Sequence, residues 1–252
     1  MNKPLVTVHT ITYNEEFIIE SFIKHYRTMF PNCTIKIYDN LSTDNTVEIA
    51  KNYGCEIEYF DTNDKLNDDA FLKIKNHCWK TAETDWVIVC DADEFIHINE
   101  QELLEQEAAN YNIIKAQGYT VVNRDNSIKD IHKMKYGYRD TAYDKHMLFN
   151  KKYIAEINYA HGCHPNLHMD RIVGSPNAGA TKEFKIIHYK WLGHEYTLKR
   201  REALRNRGVS EFNRSKMWTN DYIYSEAELN EKNYIVSLDY IYKIADLIKI
   251  ID

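Results

Sequence analysis

Two aspartates one residue apart, Asp91 and Asp93, follow the unbroken apolar run Trp86-Val87-Ile88-Val89-Cys90. Carboxylates alternating as a chain leaves a strand can turn toward one cation, and the small Ala92 between them lets a ligand come close. Oxygen donors suit Mg²⁺ or Mn²⁺, ions that keep open positions for water or substrate phosphate. An ion bridging a diphosphate neutralises the charge that builds on a phosphate leaving group. An Asp-x-Asp is common by chance, so its informative property is its place behind a wholly apolar strand.

The elements that must position these acids are legible in the first hundred residues, which alternate strand and helix. Strands are expected at 5–11, 34–38, 56–60 and 86–90. A helix is expected from a cap near Asn14, with Ile18, Phe22, Tyr26 and Met29 on one face. A short helix capped by Ser42, Thr43 or Asp44 stops at Gly54, and another helix covers 68–81. Strands joined by helical crossovers imply right-handed units and a parallel sheet, with ligands bound beyond the strands' carboxyl ends. Thr12, Asn14, Glu15, Asp39, Asn40, Asp61, Asp91 and Asp93 all fall just past those ends. Acids gathered on one edge repel unless a cation or hydrogen-bond donors occupy it.

The second half is less regular. Strands are expected at 119–123, 146–149 and 184–189, a long polar loop at 161–182, and helices at 195–207 and 233–250. The last helix reads as a packing element, with a peripheral membrane or partner surface as its alternative. Trp79 reads as core. With 252 residues and 44% hydrophobic content, the chain is expected to form a single α/β domain over 1–252 with a mostly parallel sheet flanked by helices. The net charge of -6 gives no electrostatic reason for a nucleic-acid partner. The N-terminal apolar stretch is too short and polar for a signal peptide or membrane span, and five cysteines without regular spacing suit reduced thiols and a cytoplasmic location.

Four stretches in this order resemble the GT-A glycosyltransferases, particularly the family 2-like group. They are Thr10-Ile11-Thr12-Tyr13-Asn14-Glu15-Glu16, Asp39-Asn40-Leu41-Ser42-Thr43-Asp44-Asn45-Thr46, Lys75-Asn76 and Asp91-Ala92-Asp93. The resemblance is strong over 5–95 and fades afterwards. It implies a GT-A (Rossmann-like) fold with a nucleotide-sugar and metal-binding half in 1–95 and an irregular acceptor-side half in 96–252. It implies a nucleotide-diphosphate sugar donor, by default a UDP-sugar, a hydroxyl acceptor on an unspecified glycan, lipid or protein, and inversion. Thr12, Asn14, Asp39, Lys75, Asp91 and Ala92 would line the nucleotide-sugar pocket, with Asp39 reading a base edge or supporting the site. Asp91 would face the ribose or the metal, and Asp93 would ligate Mn²⁺ or Mg²⁺. The family often has Arg where Lys75 stands, and Lys lacks the bidentate fork.

His188 has two readings: a structural strand histidine, or, by the resemblance, a late ligand to the metal or diphosphate. The base that takes the acceptor's proton is sought among Asp140, Asp144, His161 and His164, with Asp144 ahead and His164 second. His161-Gly162-Cys163-His164 with His168 has zinc-like spacing but no second ligand pair, so an acceptor-site loop is the stronger reading, with an ordinary polar loop as its alternative. Lys199-Arg200-Arg201 with Arg205 and Arg207 is either a solvated face or a clamp on the diphosphate. Two rivals remain: a non-catalytic sugar- or nucleotide-binding protein on the same fold, and a haloacid dehalogenase-type phosphatase. The latter motif normally carries Thr or Val where Phe95 stands and lies nearer the N-terminus.

Overall fold

The computed structural model describes residues 6–127, 130–160, 172–216, 220–231, 238, 241–242 and 246–251. The chain gathers into two compact units, each assembled from separate stretches of sequence. The first is Met1–Asp61, Phe71–Gly118 and Asp140–Ile187; the second is Thr62–Ala70, Tyr119–Arg139 and His188–Asp252.

In chain order the elements are β1 (Val6–Thr12), α1 (Ile19–Met29), β2 (Thr34–Asp39), α2 (Thr46–Asn52), β3 (Glu56–Tyr59) and α3 (Asp68–His77), which continues as a 3-10 turn, Cys78–Thr81. Then come β4 (Trp86–Asp91), β5 (Glu94–His97), α4 (Glu100–Ala108), β6 (Ile113–Ile114), β7 (Gln117–Val122), β8 (Tyr136–Arg139), β9 (Leu148–Asn150) and β10 (Ile154–Glu156). The rest are β11 (Val173–Gly174), β12 (Ala178–Gly179), β13 (Lys185–Trp191), α5 (His194–Arg207), α6 (Glu211–Ser215), α7 (Asn220–Ile223), α8 (Glu226–Glu231) and β14 (Ile248–Lys249).

The first unit holds a sheet in the order β12-β6-β9-β4-β1-β2-β3. Its β3-β2-β1-β4 portion is parallel throughout, and β9 runs antiparallel to both β4 and β6. The expected mostly parallel α/β sheet is therefore present. Register sets the site: Thr12 lies opposite Asp39, and Ile11 lies opposite Asp91. Residues 86–90 of β4 are all buried, as a central strand covered on both faces must be.

Helix α1 buries Ile19, Phe22, Ile23 and Tyr26. Phe22 meets Phe95 edge-on at 5.9 Å, the Tyr26 hydroxyl donates to Glu94 O at 2.9 Å, and His25 Nε2 lies 2.8 Å from Ile96 O. Beyond the hydrophobic gain of about 1.5–3 kcal/mol per fully buried large side chain, these contacts pin β5, the strand leaving the acidic turn. Trp79 is core, edge-on to Phe149 at 5.3 Å.

Two boundaries differ from expectation. The first helix begins at Ile19 rather than near Asn14, because Asn14 sits at φ 56° and its side chain is bonded elsewhere. At the other end, Ile248–Lys249 is a strand paired antiparallel with β8, not the tail of a helix. The apolar pattern there fits both periods. Pairing with β8 decides for the strand, and Gly137 on β8 leaves room for the neighbours, since a side chain there would meet Thr120 O at 2.1 Å and Ile250 Cδ1 at 2.7 Å. The packing role expected of this segment is visible in the second unit, where Leu238 and Ile241 pack with Val122 and Trp191. The polar stretch 161–182 falls in part outside the described residues; its described portion carries β11 and β12. Among the described residues no helix is long and apolar enough to cross a membrane. Cys33, Cys55, Cys78 and Cys90 are free thiols; Cys163 lies outside the described residues.

A buried histidine, His9, and a half-buried one, His97, make stability depend on pH. Burial, reinforced by Lys36 and Lys151, lowers His9 to about 3; burial with Lys185 lowers His97 to about 4. Both values lie below the unfolded value near 6.5. The unfolded chain therefore binds more protons as pH falls below that point. The stability these groups confer is complete above about 6.5 and is lost progressively toward 4 and 3. Each histidine contributes a fall of about 1.4 kcal/mol per pH unit below pH 6, while Glu94, raised to about 7 by burial, gains about as much from its proton over the same range. Urea unfolding is therefore expected to show a net fall of about 1 kcal/mol between pH 6.5 and 5.5, and a rise in stability over that range would contradict this.

Candidate active site

The loops after β1 and β2 are clasped together by side chains. Asp39, fully buried, accepts from Thr12 Oγ1 at 2.9 Å, Ser42 Oγ at 2.6 Å and Ser42 N at 2.8 Å. Asn14 returns the grip: its N donates to Ser42 Oγ at 2.9 Å and its Oδ1 accepts from Thr43 N at 2.7 Å. Asn is among the few residues that tolerate its positive φ. Asp44 Oδ1 then accepts from Thr46 N at 2.9 Å at the start of α2. These three bonds hold the Asp39 carboxylate between the two loops. The Ser-x-Asp turn, expected to serve as a helix cap, also locks Asp39.

The acidic turn lies between β4 and β5. Ala92 is 4% exposed, and Asp93 is half-buried. Lys75 Nζ sits 2.6 Å from Asp91 Oδ1, and Lys145 Nζ lies 3.9 Å from Asp91 Oδ2. Burial pushes the Asp91 carboxyl up, but the pull of Lys75 and then Lys145 is stronger, and the net value is below the ordinary one. Beneath it, Glu94 and Lys145 form a buried ion pair, each side chain 1% exposed. Burial raises Glu94 to about 7; Lys145 opposes this, and Asp91 and Asp93 add to it. Lys145 also lies 4.8 Å from the Tyr143 ring centroid. Sequence reasoning missed the Glu94–Lys145 pair, whose members are 51 positions apart, and no local pattern joins them.

The structure thus brings Thr12, Asn14 and Asp39 into one clasp, and Lys75 to Asp91, along the carboxyl edge of one sheet. Asn76, Lys75's neighbour, accepts from Tyr159 N at 2.7 Å and is structural. Asp144 Oδ1 accepts from Gly118 N at 2.8 Å, and Asp140 Oδ1 from Ala142 N at 3.2 Å. Gly118 is required there, since a Cβ would lie 2.4 Å from Tyr143 Cβ. His188, in the second unit, is 4% exposed with Nδ1 3.2 Å from Thr120 Oγ1. His161, His164 and His168 lie outside the described residues.

Neither reading of the basic stretch describes three of its arginines. In the second unit, Arg201 is buried, 2.9 Å from Glu226 and stacked 5.0 Å over Trp191. Arg205 donates to Tyr224 O at 3.0 Å, and Arg207 pairs with Asp64 at 3.3 Å. They are structural cations because α5 turns them toward their own unit. Among the described residues, no three His, Cys, Asp or Glu side chains gather as a metal cage.

Residues 7–165 match the family model of glycosyl transferase family 2. The chain belongs to glycosyl transferase family 2. The match covers all the clasp and acidic-turn residues of this family 2 chain. Comparison with curated proteins gives no match. Among solved structures, S. aureus TarS 1-349 in complex with UDP-GlcNAc is 15% identical, with 94% of this chain and 78% of that chain covered and a TM-score of 0.44. The mannosyltransferase PcManGT from Pyrobaculum calidifontis, in complex with GDP-Man and Mn²⁺, is 13% identical, with 82% and 63% covered and a TM-score of 0.45. This family 2 chain spans 38% of the longer TarS chain it matches, at 16% identity and a TM-score of 0.44.

Proposed function

We propose that the protein transfers a sugar from a nucleotide-diphosphate donor to a hydroxyl acceptor, using Mn²⁺ or Mg²⁺ held at the acidic turn. The observation that carries this reading is the placement of Asp91 at the end of the central strand and Asp93 just past it, on the same edge as the Thr12–Asp39 clasp, in a family 2 chain. The donor set fits a hard cation: the turn presents carboxylate oxygens, and Asp93 stands half-exposed. Asp93 would hold the ion, with Asp91 beside it. When bound, the ion supplies positive charge to the departing diphosphate.

The chain's own residues do the rest. The Asp39 clasp fixes the two loops against which the nucleoside would lie, so that binding does not have to order them. The buried Lys145–Glu94 pair holds the turn from beneath. Transfer with inversion requires a base for the acceptor's proton. Asp144 and His164 remain the candidates; Asp144 is held in place by its bond from Gly118 N. The same reading keeps one domain in function, with the donor side in 1–95 and the acceptor side in 96–252, and a cytoplasmic setting. The buried Phe95, where the phosphatase motif carries Thr or Val, and the family match favour a transferase over a haloacid dehalogenase.

The test is turnover of a panel of nucleotide sugars, UDP-sugars first, with Mn²⁺, with Mg²⁺ and with EDTA. Release of the nucleoside diphosphate from at least one donor, lost in EDTA, is expected. Absence of turnover with every donor, alongside tight binding of one of them, would favour the non-catalytic reading.

A further inference from the structure

Asp91 is already held by cations of the chain itself. Lys75 reaches it with a side chain 6% exposed, its Nζ 2.6 Å from Oδ1, and Lys145 stands 3.9 Å from Oδ2. The backbone that carries Lys75 is firmly seated. Asn76 accepts from Tyr159 N at 2.7 Å, and Trp79, one turn on, packs edge-on against Phe149. A divalent ion that approaches Asp91 Oδ1 must therefore displace a buried ammonium. It also meets that ammonium's repulsion at short range, where the protein's low effective dielectric weakens screening. With no cage of three metal-binding side chains among the described residues, the ion must draw several of its oxygens from water or phosphate.

We propose that Lys75 is a tethered counter-cation of the acidic turn. It competes with the divalent ion for Asp91, keeps metal affinity low while no donor is bound, and makes the metal enter together with the diphosphate. A diphosphate reverses the balance, since its own negative charge offsets Lys75 and its oxygens complete the ion's coordination. Lys suits this task better than Arg, being a point charge on a flexible stem rather than a rigid fork that would lock bidentately onto the carboxylate. This inference rests on the reading of the turn as the donor's metal site.

Calorimetric titration tests it, with Mn²⁺ alone and Mn²⁺ with saturating UDP, on the wild type, Lys75→Met and Lys75→Arg. Lys75→Met is expected to bind Mn²⁺ alone about 10-fold or more tightly than the wild type, because the competing charge is gone. Lys75→Arg should bind Mn²⁺ alone no more tightly than the wild type. UDP alone, in EDTA, should bind Lys75→Met several-fold more weakly. A Lys75→Met protein with an unchanged circular dichroism spectrum and no gain in Mn²⁺ affinity overturns the proposal. If Lys75→Met does not fold, Lys75→Gln takes its place with the same expectation. In an Asp91→Asn background the residue at 75 should no longer affect Mn²⁺ affinity; an undiminished effect would also overturn it. If the wild type binds no Mn²⁺ even with UDP present, the metal reading itself falls, and this inference falls with it.

Discussion

Asp93→Ala is expected to lower metal-dependent turnover of the nucleotide sugar by on the order of 10³-fold while leaving the fold in place. The loss is large because the acidic turn has few oxygen donors, and because Asp91 beside it already faces Lys75 and Lys145. The fold should survive because what positions the turn lies on either side of residue 93. Before it runs the buried strand β4, and after it the Tyr26 hydroxyl holds Glu94 O and Phe95 packs on Phe22. A half-buried side chain outside those contacts is expected to change stability by about 1 kcal/mol or less. Rates of nucleoside diphosphate release and a melting curve on the same preparation check both parts. Collapse of the fold, or turnover within a few-fold of the wild type, would contradict them.

Lys145→Met is expected to give the largest loss of stability at the site, about 3–5 kcal/mol, because it leaves the Glu94 carboxylate buried without its partner. Glu94 is under pressure even in the wild type: burial raises it to about 7 against the pull of Lys145. Removing the lysine favours proton uptake by Glu94, which limits the loss. The double substitution Glu94→Leu with Lys145→Met removes both charges and should recover most of the stability, since two apolar groups of similar size replace a buried pair at little cost. Urea unfolding of the two single variants and the double completes the cycle. A Lys145→Met protein as stable as the wild type would show that the pair contributes nothing to holding the turn.

The first hundred residues were legible because their signals are local. A continuous apolar run marks β4, turn residues mark the ends of β1 and β2, and the helical period marks the buried face of α1. Strand ends then place Asp39 and Asp91 on one edge without any knowledge of contacts. What the sequence hid is what long-range packing decides. That Lys145 pairs with Glu94, that Asn14 clasps Thr43 instead of capping a helix, and that Arg201 turns inward to Glu226 depend on residues brought together from 25 to 51 positions away. Ile248–Lys249 failed for another reason: a short isoleucine-rich stretch fits a helix or a strand equally well. The choice came from pairing with β8, more than a hundred positions away in the chain.

The central claim is that the acidic turn holds the donor's metal through Asp93. Titration of Mn²⁺ into the protein with saturating UDP, followed by the loss of the free-ion paramagnetic signal, tests it most directly. The expected result is one bound ion per chain in the wild type and an affinity on the order of 10² lower in Asp93→Ala. Equal Mn²⁺ affinity in the two folded proteins would contradict it.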